Sequence, residues 1–577
     1  MKAIKTISLC LAASVISASV FAQSAIEKIQ PLSKNASKGY FYDATQDPST
    51  GNIDVVYKFK GKKKDDKASY ETYSFDKNIN FLKQEETQVL KKDIADKPDY
   101  TSTFVYASVG GSNFMINSTK LHLSKQTYSY KWNTEKKGYI SKRTEDVDIK
   151  PTNDEKRTYS GYASYTNSAN GDLMVLATSV TKGDDEKASK NFVLLNVKTD
   201  LSITEIPLKF SSPQQLVYTC LAANAATNDD DENESSFEGD INNADMVFVF
   251  APTFNKKNPV DYKKYSYLRM DNSGKVKEQF LIDMPSANFI ITGNGATADG
   301  ALYFCGSYMD KEETFDQLYK EYSPLENPYY LEGANSRMVV YEAKTEKVKM
   351  DFFSVVKVSG GKMDWIKNNS IKEMEKLIQT PPKQKKAPAY TGNRFKVQNF
   401  VAMNNGDILI SGQLLGRVKI KSYNNWTNTV TSYAVKAYKD VVCLQLSSDG
   451  KVKAQFGVHP ASVSDKMNTT FPIIENFYVG KDGQTIYWNL LETKVQKGYA
   501  SFWDAYGGSP TMYPNYYPSM LKMNLSNSNI TEYNVFGNRK FLLNKYTPYI
   551  YNDVDKSIIY IGSDHKSKLW LAKYDMK

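Results

Sequence analysis

Short apolar runs separated by tight turns recur along the chain, and the clearest copy spans residues 395–458. Apolar residues flank the turn at Asn405-Gly406, a pattern that predicts a β-hairpin. A second pair of apolar runs flanks Asp449-Gly450, and the run after this turn alternates apolar and polar side chains, as a half-buried strand does. The unit therefore predicts four antiparallel strands, with tight turns at both ends and a longer connection between the second and third strands.

The same unit recurs about eight times along the chain. Most copies carry a glycine in the turn between their first two strands, namely Gly51, Gly110, Gly171, Gly300, Gly406 and Gly483. In the second copy, these two strands are expected at residues 104–106 and 114–116. An acidic insertion replaces the turn in the fourth copy, and the eighth copy ends after its third strand.

An isolated strand is predicted at residues 26–32, and its apolar pattern matches that of the fourth strand in the third copy, at residues 203–208. The repeated unit resembles the blades of β-propellers, without the signature of a named propeller family. This resemblance implies an all-β fold: a single β-propeller of about eight four-stranded antiparallel blades, with seven as the alternative. The N-terminal strand is expected to close the ring by completing the last blade.

The N-terminus has the pattern of a secretory signal peptide at residues 1–22, with two lysines, an apolar stretch and Ala22 before the expected cleavage site. The propeller is then expected to occupy residues 23–577, in an exported protein that is periplasmic or extracellular. No later stretch is long and apolar enough to predict a membrane-spanning helix. Cys220, Cys305 and Cys443 lie in apolar runs and are expected to be buried thiols.

Four insertions interrupt the repeats, at residues 224–244, 310–336, 358–394 and 493–518. Blade geometry places the last three, which include helical and loop segments, on one face of the propeller. Within the third, Ser370 and Glu373 match a helix capping box. An apolar stripe follows at Ile371, Met374, Leu377 and Ile378, and it is expected to pack on its own fold, with a partner surface as the alternative.

Catalytic signatures are lacking in the sequence. His122, His459 and His565 have no metal-ligand spacing, and no nucleophile elbow or phosphate-binding glycine loop occurs. The net charge of +10 is scattered, so nucleic-acid binding is not expected. The acidic stretch Asp229 to Asp240 is expected to be a solvated loop, with a Ca²⁺ site as the alternative. No cofactor is predicted, and a non-catalytic role is favoured over an enzyme.

Aromatic residues interleaved with glycine and proline are the most suggestive surface feature. They lie in two insertions on the same predicted face: Trp503, Tyr506, Tyr513, Tyr516 and Tyr517 in one, and Tyr329 and Tyr330 in the other. Rigid amphipathic rings are common at protein interfaces, so these seven residues are predicted to bind a partner. The alternative is that the rings pack on their own scaffold.

The composition and the predicted signal weakly resemble envelope proteins of bacteria that use type IX secretion. This resemblance implies a non-catalytic exported propeller that binds an envelope or outer-membrane protein, such as a plug or accessory subunit of the outer-membrane translocon. The alternative is a carbohydrate-binding or glycoside-active propeller with paired carboxylates. The sequence leaves both hypotheses open, because any such pair would come from different blades.

Overall fold

The computed structural model describes residues 25–576, except for residues 60–65, 94–99, 113–114, 117, 134, 136–137, 148–156, 182–190, 223–239, 243, 298, 322–335, 343–347, 383, 425–428, 499–510 and 545–546. It is all-β, with 61% of the residues in strands and 6% in helices. The all-β prediction is therefore confirmed, and the acidic loop lies outside the described residues except for Asp240.

Nineteen strands form the first half of the chain. They are β1 (Ala25–Pro31), β2 (Tyr40–Gln46), β3 (Ile53–Lys58), β4 (Lys67–Phe75), β5 (Phe81–Leu90), β6 (Tyr100–Ser108), β7 (Gly111–Ser112), β8 (Met115–Ile116), β9 (Thr119–Lys120), β10 (His122–Asn133), β11 (Gly138–Val147), β12 (Arg157–Thr166), β13 (Leu173–Thr181), β14 (Asn191–Val197), β15 (Ile203–Pro207), β16 (Gln214–Ala222), β17 (Asp245–Pro252), β18 (Lys264–Met270) and β19 (Val276–Asp283).

Eighteen further strands and two short α-helices follow. The strands are β20 (Ile290–Ala296), β21 (Leu302–Tyr308), β22 (Ser336–Glu342), β23 (Phe352–Ser359), β24 (Lys362–Ser370), β25 (Ile378–Gln379), β26 (Phe395–Ala402), β27 (Ile408–Asn424), β28 (Thr429–Leu446), β29 (Val452–Val458), β30 (Ile474–Val479), β31 (Thr485–Gly498), β32 (Thr511–Asn524), β33 (Asn529–Val535), β34 (Leu542–Leu543), β35 (Tyr549–Asn552), β36 (Ser557–Ser563) and β37 (Lys568–Asp575). The helices are α1 (Phe315–Glu321) and α2 (Ile371–Met374).

The strands pair in chain order into eight main sheets. Sheet 1 contains β2–β5, sheet 2 contains β6, β10 and β11, sheet 3 contains β12–β15 with β9, and sheet 4 contains β16–β19. Sheet 5 contains β20, β21, β23 and β24, sheet 6 contains β26–β29 with β22 and β25, sheet 7 contains β30–β33, and sheet 8 contains β34–β37 with β1. The predicted antiparallel four-strand unit is the basis of every sheet except sheet 2.

Side chains of the turns close many of these hairpins. Asp47 Oδ1 accepts a hydrogen bond from Ser49 N at 2.7 Å, and Asp271 Oδ1 accepts one from Ser273 N at 2.9 Å. Such bonds replace backbone hydrogen bonds that a tight turn leaves open. This local chemistry explains why the Asp/Asn and glycine signals of the sequence located most of the hairpins correctly.

Sheet 2 differs from the prediction. β6 pairs directly with β10, whereas the run expected to be the second strand contributes only the two-residue β8, which pairs with β7. A run of three apolar residues at 114–116 offers a much shorter ladder than the twelve residues of β10. The long β10 therefore takes the position beside β6, and β9 joins the edge of sheet 3 instead.

The insertions include regular structure that extends the sheets. β27 with β28 and β31 with β32 continue as long hairpins beyond the ends of sheets 6 and 7, and β22 pairs along the extension of β27. Within the segment 358–394, β24 is the fourth strand of sheet 5, paired with β23. Residues 493–518, predicted as a loop, thus include parts of two paired strands.

Helix α2 packs on its own fold, as predicted. Ile371 and Met374 are buried in the core between sheets 5 and 6, and Leu377 is partly buried against it. The predicted capping box is wrong, because the Ser370 side chain makes no capping hydrogen bond. Instead, the backbone N–H of Ile371 donates to the carbonyl oxygen of Asp351 at 2.9 Å, which satisfies one of the N-terminal donors of the helix.

The N-terminal strand completes the last sheet, as predicted. β1 pairs antiparallel with β37 over its full length, from Ala25 opposite Tyr574 to Pro31 opposite Lys568. The pairing continues beyond β1, where Leu32 N donates to Ser567 O at 2.8 Å. The first and the last strand of the fold are therefore joined by a continuous backbone ladder, and the edge of β37 is covered.

Apolar cores lie between neighbouring sheets. Phe456, Trp488 and Leu521 are completely buried between sheets 6 and 7. Cys220, Cys305 and Cys443 are buried free thiols, as predicted. Burial raises the pKa of Cys220 and of Cys305 to about 12, so both thiols are protonated at neutral pH.

Candidate functional site

A polar cleft of about 350 Å³ opens on the face of the molecule where the hairpins of sheets 6 and 7 extend. Its walls come from the connection between β29 and β30, from the adjacent parts of β31 and β32, and from the turn between β33 and β34. The lining residues are Ala461, Ser462, Ser464, Asp465, Asn468, Lys494, Val495, Tyr517 and Arg539.

The connection between β29 and β30 is held in shape by its own short side chains. Ser464 Oγ donates to Ala461 O at 2.7 Å within the first of two 3₁₀ turns. Asn468 fixes the connection to β31, because its Oδ1 accepts from Val495 N at 2.8 Å and its Nδ2 donates to Ser462 O at 3.2 Å. This wall of the cleft is therefore attached to a strand rather than held by loop packing alone.

A completely buried carboxylate lies beneath the cleft. Glu492, which follows the core part of β31, accepts hydrogen bonds from Tyr517 Oη at 2.9 Å, Ser519 Oγ at 3.0 Å and Tyr533 Oη at 3.3 Å. The backbone N–H of Ser462 donates to the same carboxylate at 3.2 Å. A buried carboxylate needs several donors to offset its desolvation. Glu492 thus joins the two strands and the connection that build the cleft.

Tyr517 stays protonated in this setting. Burial is the main cause that raises the pKa of its hydroxyl, and the adjacent Glu492 carboxylate raises that pKa further. The hydroxyl is therefore a hydrogen-bond donor to Glu492, and the tyrosine ring forms part of the cleft wall. Its position excludes Tyr517 as a general base at neutral pH.

Two cations border the cleft. Lys494 and Arg539 are both exposed, and within the described part of the chain neither forms an ion pair. The Arg539 guanidinium lies over the Tyr517 ring, 5.9 Å from its centroid. The lining includes one acid, Asp465, whose Oδ1 accepts from Met467 N at 2.9 Å. The charges at the rim therefore favour an anionic ligand.

His565 lies within electrostatic range of this rim, in the turn between β36 and β37. Burial lowers the pKa of His565; the neighbouring Asp564 opposes this effect, whereas the positive charge of Lys494 adds to it. The imidazole is therefore mainly neutral at pH 7 and adds little to the charge of the cleft.

The backbone that carries Arg539 is left-handed over three consecutive residues. The φ angles are +62° at Gly537, +47° at Asn538 and +59° at Arg539. Glycine adopts this conformation freely and asparagine tolerates it, but for other residues it costs roughly 1 kcal/mol. Strained residues persist where the surroundings hold them, and they are concentrated at functional sites. Here the strain falls on the residue that supplies a cation to the cleft.

Ser462 provides an independent indication of a ligand. Its side chain is only 3% exposed and lines the cleft, yet its Oγ has no hydrogen-bond partner among the residues that the structure describes. A buried hydroxyl without a partner is destabilising, by about 1 to 3 kcal/mol. A group bound in the cleft would supply the missing partner.

The structure describes only some of the seven predicted partner-binding residues, and it places them differently. Tyr517 is 4% exposed and lines the cleft, and Tyr516 is partly buried against the core between sheets 7 and 8. Tyr513 lies in β32, where only its backbone is described. Trp503, Tyr506, Tyr329 and Tyr330 lie outside the described residues. Binding of a partner by these aromatic residues stays a prediction.

Sequence reasoning missed Ser462, Glu492, Lys494 and Arg539. They come from separate connections and strands, and no short motif links them. The one local signal was the Gly537-Asn538 pair, which is typical of a left-handed turn. Elsewhere in the described residues, the structure contains no group of three or more potential metal ligands, and none of its helices is long and apolar enough to cross a membrane.

Comparisons with known proteins leave the family open. No family model matches the chain, and a search of curated proteins finds no match. One solved structure that matches is a puromycin hydrolase mutant in complex with PGG, with 9% identity and a TM-score of 0.23; the match covers 76% of this chain and 57% of that one. Another is a Synechocystis apocarotenoid oxygenase mutant, with 10% identity and a TM-score of 0.28, covering 83% of this chain and 93% of that one.

These matches correct the function predicted from the sequence. The solved structures are enzymes, so the prediction of a non-catalytic subunit of an envelope complex is wrong, and its alternative, a carbohydrate-binding or glycoside-active propeller, gains no support. The resemblance to envelope proteins of type IX-secreting bacteria is likewise unsupported. With TM-scores below 0.5, the matches transfer no activity to this chain, and the geometry of the cleft is the remaining basis for a function.

Proposed function

We propose that the protein binds a small organic anion, with a carboxylate or phosphate group, in the cleft between sheets 6, 7 and 8. The observation that carries this proposal is the combination of two cations without acidic partners in the described residues and a buried Ser462 hydroxyl that lacks a hydrogen-bond partner. The cleft volume of about 350 Å³ limits the ligand to a small molecule.

Each lining group has a chemical role in such a complex. The planar Arg539 guanidinium can donate two parallel hydrogen bonds to one anionic group, and Lys494 adds a mobile positive charge. Ser462 Oγ can donate to the same group or accept from a ligand hydroxyl. The free oxygen of the Asp465 carboxylate can accept from a hydroxyl or ammonium group at the other end of the ligand.

Calorimetry at low ionic strength tests this proposal, with inorganic phosphate and gluconate as probes. We expect Arg539→Ala to weaken binding at least about ten-fold, as for the loss of a charged hydrogen-bond donor. Lys540→Ala is the matched control, because it removes the adjacent exposed cation, which does not line the cleft. Comparing the two probes separates phosphate from carboxylate recognition. The proposal fails if neither probe binds, or if both variants weaken binding equally.

Ser462→Ala separates a ligand-binding role from a structural one. Because the Ser462 Oγ has no partner in the described residues, its removal should leave the melting temperature unchanged or raise it, while weakening probe binding. Ser519→Ala is the comparison, since that hydroxyl donates to Glu492 and its loss should lower the melting temperature. A destabilised Ser462→Ala with unchanged binding would contradict the proposed role.

The eight sheets support a finer proposal for the fold, an eight-bladed propeller. Hydrogen bonds join successive sheets, for example Tyr218 Oη to Asn294 Oδ1 at 2.8 Å and Tyr560 Oη to Asn489 Oδ1 at 2.7 Å. The last sheet also contacts the first, since Lys573 Nζ donates to Lys77 O at 3.0 Å. Small-angle scattering tests this proposal: a closed ring gives a compact disc, whereas an open row of sheets gives an elongated particle.

Export remains a separate proposal that rests on the sequence pattern of residues 1–22. The mass of the protein purified from its native cell tests it. A mature chain that begins at Gln23 supports export, and a chain that retains Met1 contradicts it.

A further inference from the structure

We propose that the N-terminal strand positions the Arg539 side chain of the cleft through Glu27, so that the anion site is complete only when β1 is docked. This inference rests on the proposed function and adds a positioning residue to it. Glu27 lies far from the cleft in sequence and does not line it. Its effect is therefore indirect, through the turn that carries Arg539.

One carboxylate oxygen of Glu27 accepts two hydrogen bonds, one from the turn that carries Arg539 and one from the neighbouring strand β37. Glu27 Oε2 accepts from the backbone N–H of Gly537 at 3.1 Å and from Trp570 Nε1 at 3.0 Å. Gly537 is the first residue of the left-handed turn, and Trp570 lies on β37, the strand that pairs with β1. Glu27 therefore links the docked strand directly to the start of the strained segment.

The turn rests on the Trp570 indole. A Cβ atom at Gly537 would lie 3.2 Å from Trp570 Cζ2, so the backbone of the turn approaches the ring closely. Phe541, which follows the turn, stacks on the same indole, with ring centroids 5.6 Å apart and an interplanar angle of 5°. Because Glu27 fixes both the indole N–H and the first N–H of the turn, it limits how the turn can rotate on this surface.

Arg539 connects this turn to the cleft. Its backbone is left-handed, so it needs external contacts to stay in this conformation. Its guanidinium lies over Tyr517, and Tyr517 in turn donates to the buried Glu492. Without Glu27, we expect the turn to relax towards ordinary backbone angles and the guanidinium to leave its position over the Tyr517 ring.

The contacts of the Glu27 side chain can be removed without removing the backbone pairing that holds β1. β1 is held by its backbone ladder with β37, and this ladder does not involve the Glu27 side chain. Truncating the side chain should therefore leave the strand docked while releasing the turn. Gln30→Ala is the matched control, because it trims another side chain of β1 that makes no hydrogen bond to the turn in the described structure.

Hydrogen exchange provides the test that needs no ligand. In Glu27→Ala we expect faster exchange in a peptide covering residues 537–541, with β1 and β37 as protected as in the wild type. Gln30→Ala should match the wild type in both regions. Unchanged exchange of the turn in Glu27→Ala overturns the inference, and loss of protection in β1 itself would show that Glu27 acts on strand docking instead.

A double-mutant cycle on affinity for inorganic phosphate provides the functional test. Glu27→Ala should weaken binding about three- to ten-fold in the wild-type background, and have little further effect when Arg539 is already alanine. Equal effects in both backgrounds overturn the positioning role. If the wild-type protein does not bind phosphate or gluconate, the proposed function fails, whereas the hydrogen-exchange result still decides whether Glu27 holds the Arg539 turn.

Discussion

Buried polar contacts fix how neighbouring sheets are positioned against each other. Tyr165 and Thr219 share a hydrogen bond of 2.5 Å between sheets 3 and 4, and Gln445 Nε2 donates to Leu525 O at 3.0 Å between sheets 6 and 7. Apolar packing alone would tolerate small slides of one sheet along another. A buried polar group left without its partner costs more than the bond contributes, so these contacts fix the relative position of neighbouring sheets.

The buried carboxyl of Glu475 should make the stability of the fold depend on pH. It is 4% exposed on β30, and burial raises the pKa of its carboxyl from the ordinary 4.5 to about 8, although Trp488 Nε1 donates to its Oε2 at 3.1 Å. The folded state therefore holds a proton that the unfolded state releases above about pH 4.5. The free energy of unfolding is therefore unaffected by this group below about pH 4.5, and it falls progressively between about pH 5 and pH 8.

Glu475→Gln should remove this dependence. We expect the variant to be more stable than the wild type at pH 8, by up to about 4 kcal/mol, and to differ little from it at pH 5. Urea unfolding at the two pH values measures the effect. Glu85→Gln is the control for charge, because Glu85 is exposed and forms a surface ion pair with Lys83. An equal loss of stability at both pH values would mean that the ionised carboxylate is needed structurally.

Two lysines of sheet 6 should titrate together. Lys396 and Lys436 both lie near the Tyr438 ring, with their Nζ atoms 5.7 Å and 6.0 Å from its centroid. Burial lowers the pKa of Lys396 to about 8; burial and then the charge of Lys396 lower that of Lys436 to about 7. Lys396→Met should therefore raise the pKa of Lys436 and slow its acetylation at pH 7, as measured by mass spectrometry. Unchanged labelling of Lys436 would contradict this coupling.

At the scale of strands, the repeated pattern predicted most of what the structure contains, because turn chemistry and period-two alternation act within a few residues. Sheet 2 departed from the pattern because β10, the next long strand along the chain, took the place beside β6 that a short run was expected to occupy. The cleft was missed for a related reason: Ser462 and Arg539 lie in separate connections and Lys494 lies on β31, and only their packing brings them together. Contacts between elements that are far apart in the chain leave no pattern in a short stretch of sequence.

The first strands of sheets 5 and 6, β20 and β26, approach each other closely. Gly295 on β20 leaves room for Phe400 on β26, and a Cβ atom at residue 295 would lie 2.0 Å from Phe400 Cδ1. Gly295→Ala should therefore push sheets 5 and 6 apart and lower the free energy of unfolding by about 1 to 3 kcal/mol. Gly300→Ala is the control, since its φ is +83° with open space around it, and only backbone strain is expected. Equal losses in the two variants would show that sheet contact is not the cause.

At the scale of the whole molecule, the first and the last strand of the fold, β1 and β37, pair in one sheet, and Glu27 on β1 also contacts the turn that carries Arg539. Removing β1 leaves the edge of β37 unpaired and takes away the Glu27 contacts to the Arg539 turn. The cost should greatly exceed that of a point substitution, because a whole strand ladder is lost together with the side chains that it places. An exposed strand edge also favours pairing with a second molecule.

Deletion of residues 25–31 should lower the free energy of unfolding by at least about 3 kcal/mol, at roughly 1 kcal/mol for each of several lost hydrogen bonds, and should promote self-association. Calorimetry and light scattering measure the two effects.

A synthetic peptide of residues 25–32 added in trans should restore the melting temperature and the slow hydrogen exchange of residues 537–541. The same peptide with the substitution Glu27→Ala should restore the melting temperature but not the protection of the turn. A truncated protein that melts like the full-length chain would show that β1 does not fasten the fold.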